Sequence, residues 1–268
     1  MEKLQAAIEK AREQRQRTVR SKSQASTTAG ADLDAWAGLT EFEPRAADLN
    51  RSRIFVEGQT TEAAYFDVLR TKILQQCKDN GWRRVLVTSP TKSCGKTTIC
   101  GNLAASMTRQ SDRHMMVFDM DMRRPYMAKA FGYRGEYSVS DVLEGTVTFG
   151  DQAVRFGENV AISMNQAPAA NPSKLILADN TPRIIDRIER DFAPDIMLFD
   201  TPPLLATDDT LALLKMVDCA LIIAAAEMTT TDQLDITEKE VAEHTNVMGV
   251  VLNKCLYTEK AYGYEYKY

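Results

Sequence analysis

The sequence has few of the residues from which metal sites and disulfide frameworks are built. Its 268 residues include two histidines and five cysteines, and no two cysteines form a CxxC pair. Zinc sites and disulfide scaffolds need closely spaced ligands of these types, so neither is predicted. Most of the cysteines are expected to be small buried apolar residues, with Cys94 as the exception because of the loop in which it lies.

Long apolar runs and an excess of positive charge are also missing. The longest apolar run, residues 219–226, has eight residues, whereas a helix that spans a membrane needs about 20. The first residues alternate charged and apolar side chains and contain no signal-peptide core. The formal net charge of −4 argues against a protein that mainly coats nucleic acid. We therefore expect a cytoplasmic protein with no nucleic-acid partner.

The N-terminal part differs in composition from the rest of the chain. Residues 1–18 carry apolar residues at helical spacing among charged ones, which predicts an amphipathic helix. Residues 19–32 are small and polar, as is typical of a flexible linker. Apolar residues then recur at every third position, at Leu33, Trp36, Leu39 and Phe42. This pattern indicates either a short element that packs against the main domain or a partner-binding motif.

The middle of the chain alternates short apolar runs with helical stretches. Strands are predicted at residues 85–87, 115–118, 196–199, 221–225 and 247–252, and helices at 61–78 and 97–110. Uninterrupted apolar strands of this kind are typical of sheets that are buried on both faces. Strands separated by helices indicate an α/β domain with a mostly parallel sheet.

A phosphate-binding loop is predicted between the first of these strands and the helix that follows. Residues 89–98 read SPTKSCGKTT, with Pro90 where the general pattern has glycine. Backbone N–H groups of such a loop and the positive end of the helix bind phosphate oxygens, and Gly95 lets the backbone come close. Lys96 would contact the β- and γ-phosphates, and the Thr97 hydroxyl would bind Mg²⁺. The predicted nucleotide-binding residues are Ser93, Cys94, Gly95, Lys96, Thr97 and Thr98.

Polar residues follow three of the predicted strands, at the end where ligands bind in an open parallel sheet. Asp119 and Asp121 follow one strand, and Asp200 follows another. Mg²⁺ usually takes one or two carboxylates together with water, and a further carboxylate can accept a proton from an attacking hydroxyl. A single aspartate at a strand end often caps a turn, but three of them downstream of GKT predict a phosphotransfer site. Asn253 also ends a strand, and it either stabilises that end or contacts a nucleotide base.

Together these motifs resemble the bacterial tyrosine kinases of exopolysaccharide and capsule synthesis. The resemblance covers residues 50–268. It rests on the SPxxxxGKTT loop, DMDMRRP at 119–125, YSVSDVLEG at 137–145, NPSKL at 171–175, FDTPP at 199–203 and the tyrosine-rich end. The implied fold is an α/β P-loop NTPase of the MinD-like type, with a mostly parallel sheet flanked by helices. The implied organisation is a helix and linker at 1–50, a kinase domain at 51–256 and a tyrosine tail at 257–268.

The resemblance also implies an activity and roles for the predicted site residues. The activity is transfer of phosphate from ATP to tyrosine, with ATP and Mg²⁺ as cofactors. The implied catalytic residues are Lys96, Asp119, Asp121 and Asp200. Asp119 would be the base for the tyrosine hydroxyl, Mg²⁺ would be held by Thr97, Asp119 and Asp200, and Asp121 would support the metal site.

The C-terminal tail is the expected substrate. Five of the nine tyrosines lie in the last twelve residues, namely Tyr257, Tyr262, Tyr264, Tyr266 and Tyr268. A free tyrosine hydroxyl has a pKa of about 10 and needs activation to attack phosphate at neutral pH. Each phosphate adds about −1.5 to −2 charges, so a phosphorylated tail would be repelled by the acidic site of a neighbouring copy. We expect transfer between copies and a self-limiting switch of oligomerisation.

The family implies two protein partners and an oligomer. The first partner is the cytoplasmic segment of a membrane polysaccharide copolymerase that determines chain length, and the second is a protein-tyrosine phosphatase. Without a membrane segment of its own, the chain is expected to act as a stand-alone form that its partner recruits to the inner face of the membrane. Family members often form rings through an E-x-x-R-x-x-R segment. Because this chain has Ala64, Asp67 and Arg70 there, a homo-oligomer is expected and a ring has less support.

Two alternative functions remain open. A ParA/MinD-type switch ATPase would share the fold, but it carries a signature lysine where this chain has Thr91, and a membrane-positioning member would end in an amphipathic helix. A nucleotide-dependent scaffold of the export complex, without phosphotransfer, would be compatible with the degenerate loop. The presence of Lys96, Asp119 and Asp200 argues against a scaffold.

Overall fold

The five predicted apolar strands lie in one sheet of eight strands. The computed structural model describes residues 33–58 and 60–255, so the predicted N-terminal helix, the linker and the tyrosine tail lie outside the described residues. The strands are β1 (Thr40–Glu41), β2 (Arg84–Thr88), β3 (Met115–Asp119), β4 (Val154–Phe156), β5 (Val160–Ser163), β6 (Ile196–Asp200), β7 (Cys219–Ala225) and β8 (Asn246–Asn253).

Helices connect these strands and cover both faces of the sheet. They are α1 (Leu33–Ala37), α2 (Ala46–Arg51), α3 (Thr61–Asn80), α4 (Lys96–Met107), α5 (Met127–Phe131), α6 (Val139–Glu144), α7 (Phe149–Gln152), α8 (Pro172–Ile176), α9 (Asn180–Phe192), α10 (Asp208–Leu214) and α11 (Thr231–His244). The helix predicted at 61–78 is α3. Thr60 is its N-cap, and the Thr60 side chain accepts a hydrogen bond from the Ala63 N–H. Gly81, with φ of 69°, is its C-cap. None of the described helices is long and apolar enough to cross a membrane.

The strand order is β1-β4-β5-β3-β6-β2-β7-β8, and every neighbouring pair is parallel except β4 and β5. This order confirms the predicted mostly parallel α/β sheet. The sequence pattern does not predict β1, β4 or β5, which have two, three and four residues. Runs this short show no periodicity of their own, and they form strands because the larger sheet offers them a partner.

The sheet separates two apolar cores, because side chains of successive strand residues point to opposite faces. In β2, Val85 and Val87 belong to the core under α3, α4 and α5, whereas Leu86 belongs to the core under α6, α9, α10 and α11. All five residues of β3 and of β6 are buried. The polar ends of these strands are therefore held by a rigid apolar layer, and their positions leave little room for adjustment.

The segment ahead of α3 packs against the sheet and extends it, as the first of the two readings of its apolar spacing predicts. The indole of Trp36 is 2% exposed and donates from Nε1 to the Phe192 carbonyl at 2.8 Å. It also contacts the His114 ring in a tilted arrangement, with ring centroids 4.6 Å apart. Strand β1 pairs with β4. The sheet and its cores thus begin ahead of residue 51, which is the predicted start of the kinase domain.

Replacement of Trp36 tests this packing. Trp36→Ala should lower the free energy of unfolding by about 3–5 kcal/mol, because it empties a buried site and removes the donor to the Phe192 carbonyl. Leu33→Ala, at a position that is 68% exposed, should change it by less than about 0.5 kcal/mol. Urea unfolding of both variants measures the difference. Equal losses in the two variants would contradict the packing described.

Candidate active site

The phosphate loop leaves β2 and enters α4 through two residues with positive φ. These are Ser93, with φ of 65°, and Gly95, with φ of 96°. Turns of this kind direct successive backbone N–H groups toward a bound anion. Gly95 is needed for a second reason, because a Cβ there would lie 2.3 Å from Nδ2 of Asn253. The loop therefore has the backbone shape that the GKT segment predicts, although Pro90 replaces a glycine.

Two polar side chains at the start of α4 are held by hydrogen bonds to other parts of the chain. Lys96 is 8% exposed, and its Nζ donates to the Ser89 hydroxyl at 3.1 Å. The Thr97 hydroxyl donates to Oδ2 of Asp200 at 2.6 Å. This second bond joins the first turn of α4 to the end of β6, so the loop and the acidic strand end form one unit.

The two aspartates that end β3 and β6 are neighbours in the sheet. Asp119 pairs in register with Asp200, and both are buried. Burial, together with the charge of Asp200, raises the pKa of Asp119 well above its ordinary value. Burial also raises the pKa of Asp200 to about 7, although Lys96 and the Thr97 hydroxyl favour its ionised form. A proton and a bound cation would therefore compete for the two carboxylates.

Oxygen atoms of this pair are left without partners, which makes the site suitable for a hard cation. Oδ1 of Asp119 and Oδ1 of Asp200 are buried and accept no hydrogen bond. Mg²⁺ prefers oxygen ligands and completes its shell with water and nucleotide phosphates. Within residues 33–58 and 60–255, no three or more His, Cys, Asp or Glu side chains are grouped to hold a metal by themselves. The donors present thus fit a magnesium ion that arrives with a nucleotide.

A cavity of about 960 Å³ opens above these groups. It is lined by the phosphate loop, by Lys96 and Thr97, and by Asp121. Residues 202–203 and 205–207 and Lys254 complete this part of the lining. Asp121 accepts a hydrogen bond at Oδ1 from the Arg124 N–H at 3.0 Å, and burial raises its pKa. Asp119 and Asp200 do not line the cavity and lie beneath it. A second cavity of about 760 Å³ lies among Arg83, Arg84 and Asp218, away from every predicted site residue.

The structure brings the predicted catalytic residues together, two at the cavity and two beneath it. Within the predicted nucleotide-binding set, Ser93, Gly95, Lys96, Thr97 and Thr98 line the cavity. Cys94 does not, since its side chain is fully buried and its thiol donates to the Thr91 carbonyl at 3.3 Å. The predicted phosphoacceptor tyrosines lie outside the described residues.

Asn253 supports the phosphate loop, a role that its sequence position did not reveal. Its Nδ2 donates to the Cys94 carbonyl at 2.8 Å. Asn253 ends β8, as the first of the two readings made from the sequence has it, and contact with a nucleotide base stays a prediction. The Asn253–Cys94 hydrogen bond depends on β8 lying beside β7, with its last residue next to a loop that is far away in sequence.

Comparison with known proteins finds several to which this chain is similar. No protein-family model matches the chain. Tyrosine-protein kinase wzc of Salmonella typhi is 27% identical over 231 residues, which cover 81% of this chain and 31% of that protein. The solved kinase domain of the Escherichia coli tyrosine kinase ETK superposes with a TM-score of 0.67 and 25% identity, over 76% of this chain and 81% of that one. The chain is a homologue of the bacterial tyrosine kinases.

The homology has a limited extent. The chain spans less than a third of the length of the curated tyrosine-protein kinases it matches. The septum site-determining protein MinD of Pyrococcus horikoshii, solved with Mg-ADP, superposes with a TM-score of 0.55 at 20% identity, over 66% of this chain and 72% of that one. That likeness shows the fold alone, and it confirms the predicted MinD-like fold.

The buried aspartates predict that the nucleotide-free protein loses stability as the pH rises from 5 to 8. A carboxyl with a raised pKa keeps a proton in the folded state that the unfolded chain has already released. The free energy of unfolding therefore falls between the unfolded pKa of about 4 and the folded value of about 7 for Asp200. Asp200→Asn should be more stable than the wild type at pH 8, and this advantage should shrink toward pH 5.

Urea unfolding in metal-free buffer across this pH range measures the effect. Asp235→Asn, at an exposed position on α11, is the control and should follow the wild type. An Asp200→Asn advantage of the same size at pH 5 and pH 8 would contradict the raised pKa.

Proposed function

We propose that the chain is an ATP-dependent protein-tyrosine kinase that phosphorylates the tyrosines of its own C-terminal tail. The observation that carries the proposal is the Thr97–Asp200 hydrogen bond beside the buried Asp119, under a cavity that Lys96 also lines. This arrangement joins a phosphate loop to carboxylates in a homologue of tyrosine kinases. It supplies the charge neutralisation and the proton acceptor that transfer to a tyrosine hydroxyl requires.

The groups of the site divide this work by their positions. Lys96 would exchange its contact with Ser89 for the β- and γ-phosphates of ATP. Thr97, Asp119 and Asp200 would hold Mg²⁺, which neutralises phosphate charge when bound. Asp119 would accept the proton of the tyrosine hydroxyl, since its raised pKa makes it a stronger base once ionised. Asp121, at the cavity wall, would support the metal side of the site.

The proposed acceptors are Tyr257, Tyr262, Tyr264, Tyr266 and Tyr268. The start of the tail supports this choice, because Lys254 lines the same cavity as Lys96 and lies three residues before Tyr257. We propose that transfer occurs between copies of the chain and that the accumulated negative charge then separates them. A protein-tyrosine phosphatase would reverse the modification.

We further propose a role in exopolysaccharide or capsule polymerisation and export. The partner would be the cytoplasmic segment of a membrane copolymerase that determines chain length, and it would recruit the kinase to the inner face of the membrane. The proposed homo-oligomer has no defined number of subunits. Arg70, the last residue of the segment that resembles the ring motif, is 9% exposed and donates to the Ser106 carbonyl of its own chain at 2.6 Å, which weakens the case for a ring.

Mass spectrometry after incubation with Mg·ATP tests the activity. The wild type should carry phosphate on tyrosines of the tail, with more in the presence of the partner's cytoplasmic segment. Lys96→Met should carry none, because the phosphates lose their buried cation, whereas the exposed Lys72→Met should match the wild type. Hydrolysis of ATP with an unmodified tail would overturn the kinase proposal in favour of a ParA/MinD-type switch ATPase or a scaffold.

Two conservative variants separate the roles of the acidic residues. Asp119→Asn should lower the rate of phosphotransfer by about 10²-fold or more, because it removes the proton acceptor. Asp121→Asn should have a smaller effect, and Asp119→Asn should retain some nucleotide binding. Initial rates and Mg·ADP titrations supply the measurements. If Asp121→Asn abolished transfer while Asp119→Asn remained active, the base would be Asp121.

A further inference from the structure

A group of hydrogen bonds ties the loop after β3 to helices α8 and α10. Arg123 donates from Nε to Oδ2 of Asp209 at 2.5 Å, and from Nη2 to Oδ1 of Asp209 at 3.1 Å. The same Nη2 donates to the Ser173 hydroxyl at 2.6 Å. The Ser173 hydroxyl in turn donates to Oδ1 of Asp209 at 2.6 Å. One carboxylate thus gathers donors from two other segments of the chain.

The Arg123–Asp209 ion pair is difficult to break, because its two side chains are buried to different extents. The side chain of Asp209 is 1% exposed, whereas that of Arg123 is 42% exposed. If Arg123 moved away, a buried carboxylate would lose its counter-ion, which is strongly unfavourable. The planar guanidinium also matches a carboxylate with two donors at once, a geometry that lysine cannot reproduce.

The loop between β3 and α5 is held on both sides of Asp121. On one side, the Met120 N–H donates to the Asp200 carbonyl at 2.8 Å. On the other side, the Ala169 N–H donates to the Met122 carbonyl at 2.9 Å, and Arg123 is fixed to Asp209. Asp121 lies between these anchors and lines the cavity. The position of its carboxylate therefore depends on attachments on both sides, and Arg123 supplies the ionic one.

We propose that Arg123, Asp209 and Ser173 form a clamp that positions the loop of residues 120–125, and with it Asp121, for phosphotransfer. Arg123 is a positioning residue in this scheme. Its effect on the rate rests on the proposed function, but its effect on the loop does not. The clamp also gives the DMDMRRP and NPSKL motifs a shared role, since each contributes one residue that donates to Asp209.

Arg123→Lys is the main test, because it retains the charge and loses the two-donor geometry. Asp209→Asn, which removes the charge of the acceptor, and the double variant complete a cycle. Arg113→Lys is the matched control. Arg113 donates to Asp195 at 2.8 Å and is 47% exposed, and it lies just before β3, at the opposite end of the strand from the loop.

Hydrogen exchange of the backbone amides of residues 120–127 reports on the loop without any need for catalysis. Arg123→Lys and Asp209→Asn should each speed exchange there by about tenfold or more, as expected for the loss of a charged hydrogen bond. The double variant should go little further than either single variant, because both changes break the same contact. Arg113→Lys should leave the exchange of this segment unchanged. Unchanged exchange in Arg123→Lys would overturn the clamp.

Steady-state phosphotransfer at a temperature well below unfolding reports on the consequence for the reaction. Arg123→Lys should lower kcat by about tenfold while the Kd for Mg·ADP stays within about threefold, since the phosphate loop is untouched and lysine keeps the positive charge that Arg123 places at the cavity wall. An unchanged kcat in an active protein with a loosened loop would overturn the positioning role. If the wild type itself transferred no phosphate, the proposed function would fail, and the exchange data would still decide whether the clamp exists.

Discussion

The hydrogen bond from the Thr97 hydroxyl to Asp200 is the contact on which the arrangement of the site depends. It joins the first turn of α4 to the end of β6 at 2.6 Å. Asp200 is in register with Asp119 on β3, so one side chain connects the phosphate loop to both acidic strand ends. The connection holds because β2, β3 and β6 are adjacent and almost completely buried, and such strands cannot shift register without exposing apolar side chains.

The same arrangement lowers the stability of the folded protein. Two buried carboxylates stand side by side, each with an oxygen that has no hydrogen-bond partner. Burial disfavours their ionised forms, which is why their pKa values are raised, and the charge of Asp200 adds to the effect on Asp119. A fold optimised only for stability would place apolar residues at these positions, as it does along the rest of both strands. Charged groups buried among apolar residues in this way are typical of functional sites.

Loops form much of the cavity wall, and two of them are attached to rigid elements. Asn253 at the end of β8 holds the phosphate loop through the Cys94 carbonyl. The loop of residues 120–125 is held by the Asp200 carbonyl on one side and by Asp209 on the other. Attachments of this kind restrict the loops to a narrow range of positions before a ligand binds, and preorganisation is a large part of how phosphotransfer sites work.

The sequence by itself determined the fold class, the central strands and the residues gathered at the site, because apolar periodicity and the GKT and aspartate motifs are local patterns. Only the tertiary structure decided that Asp119 lies beneath the cavity while Asp121 faces it, that Asn253 supports the phosphate loop, and that β1, β4 and β5 complete the sheet. The partnership of Arg123 with Asp209 belongs to the same group. These features depend on contacts between segments far apart in the chain, and such contacts leave no periodic trace in any one segment.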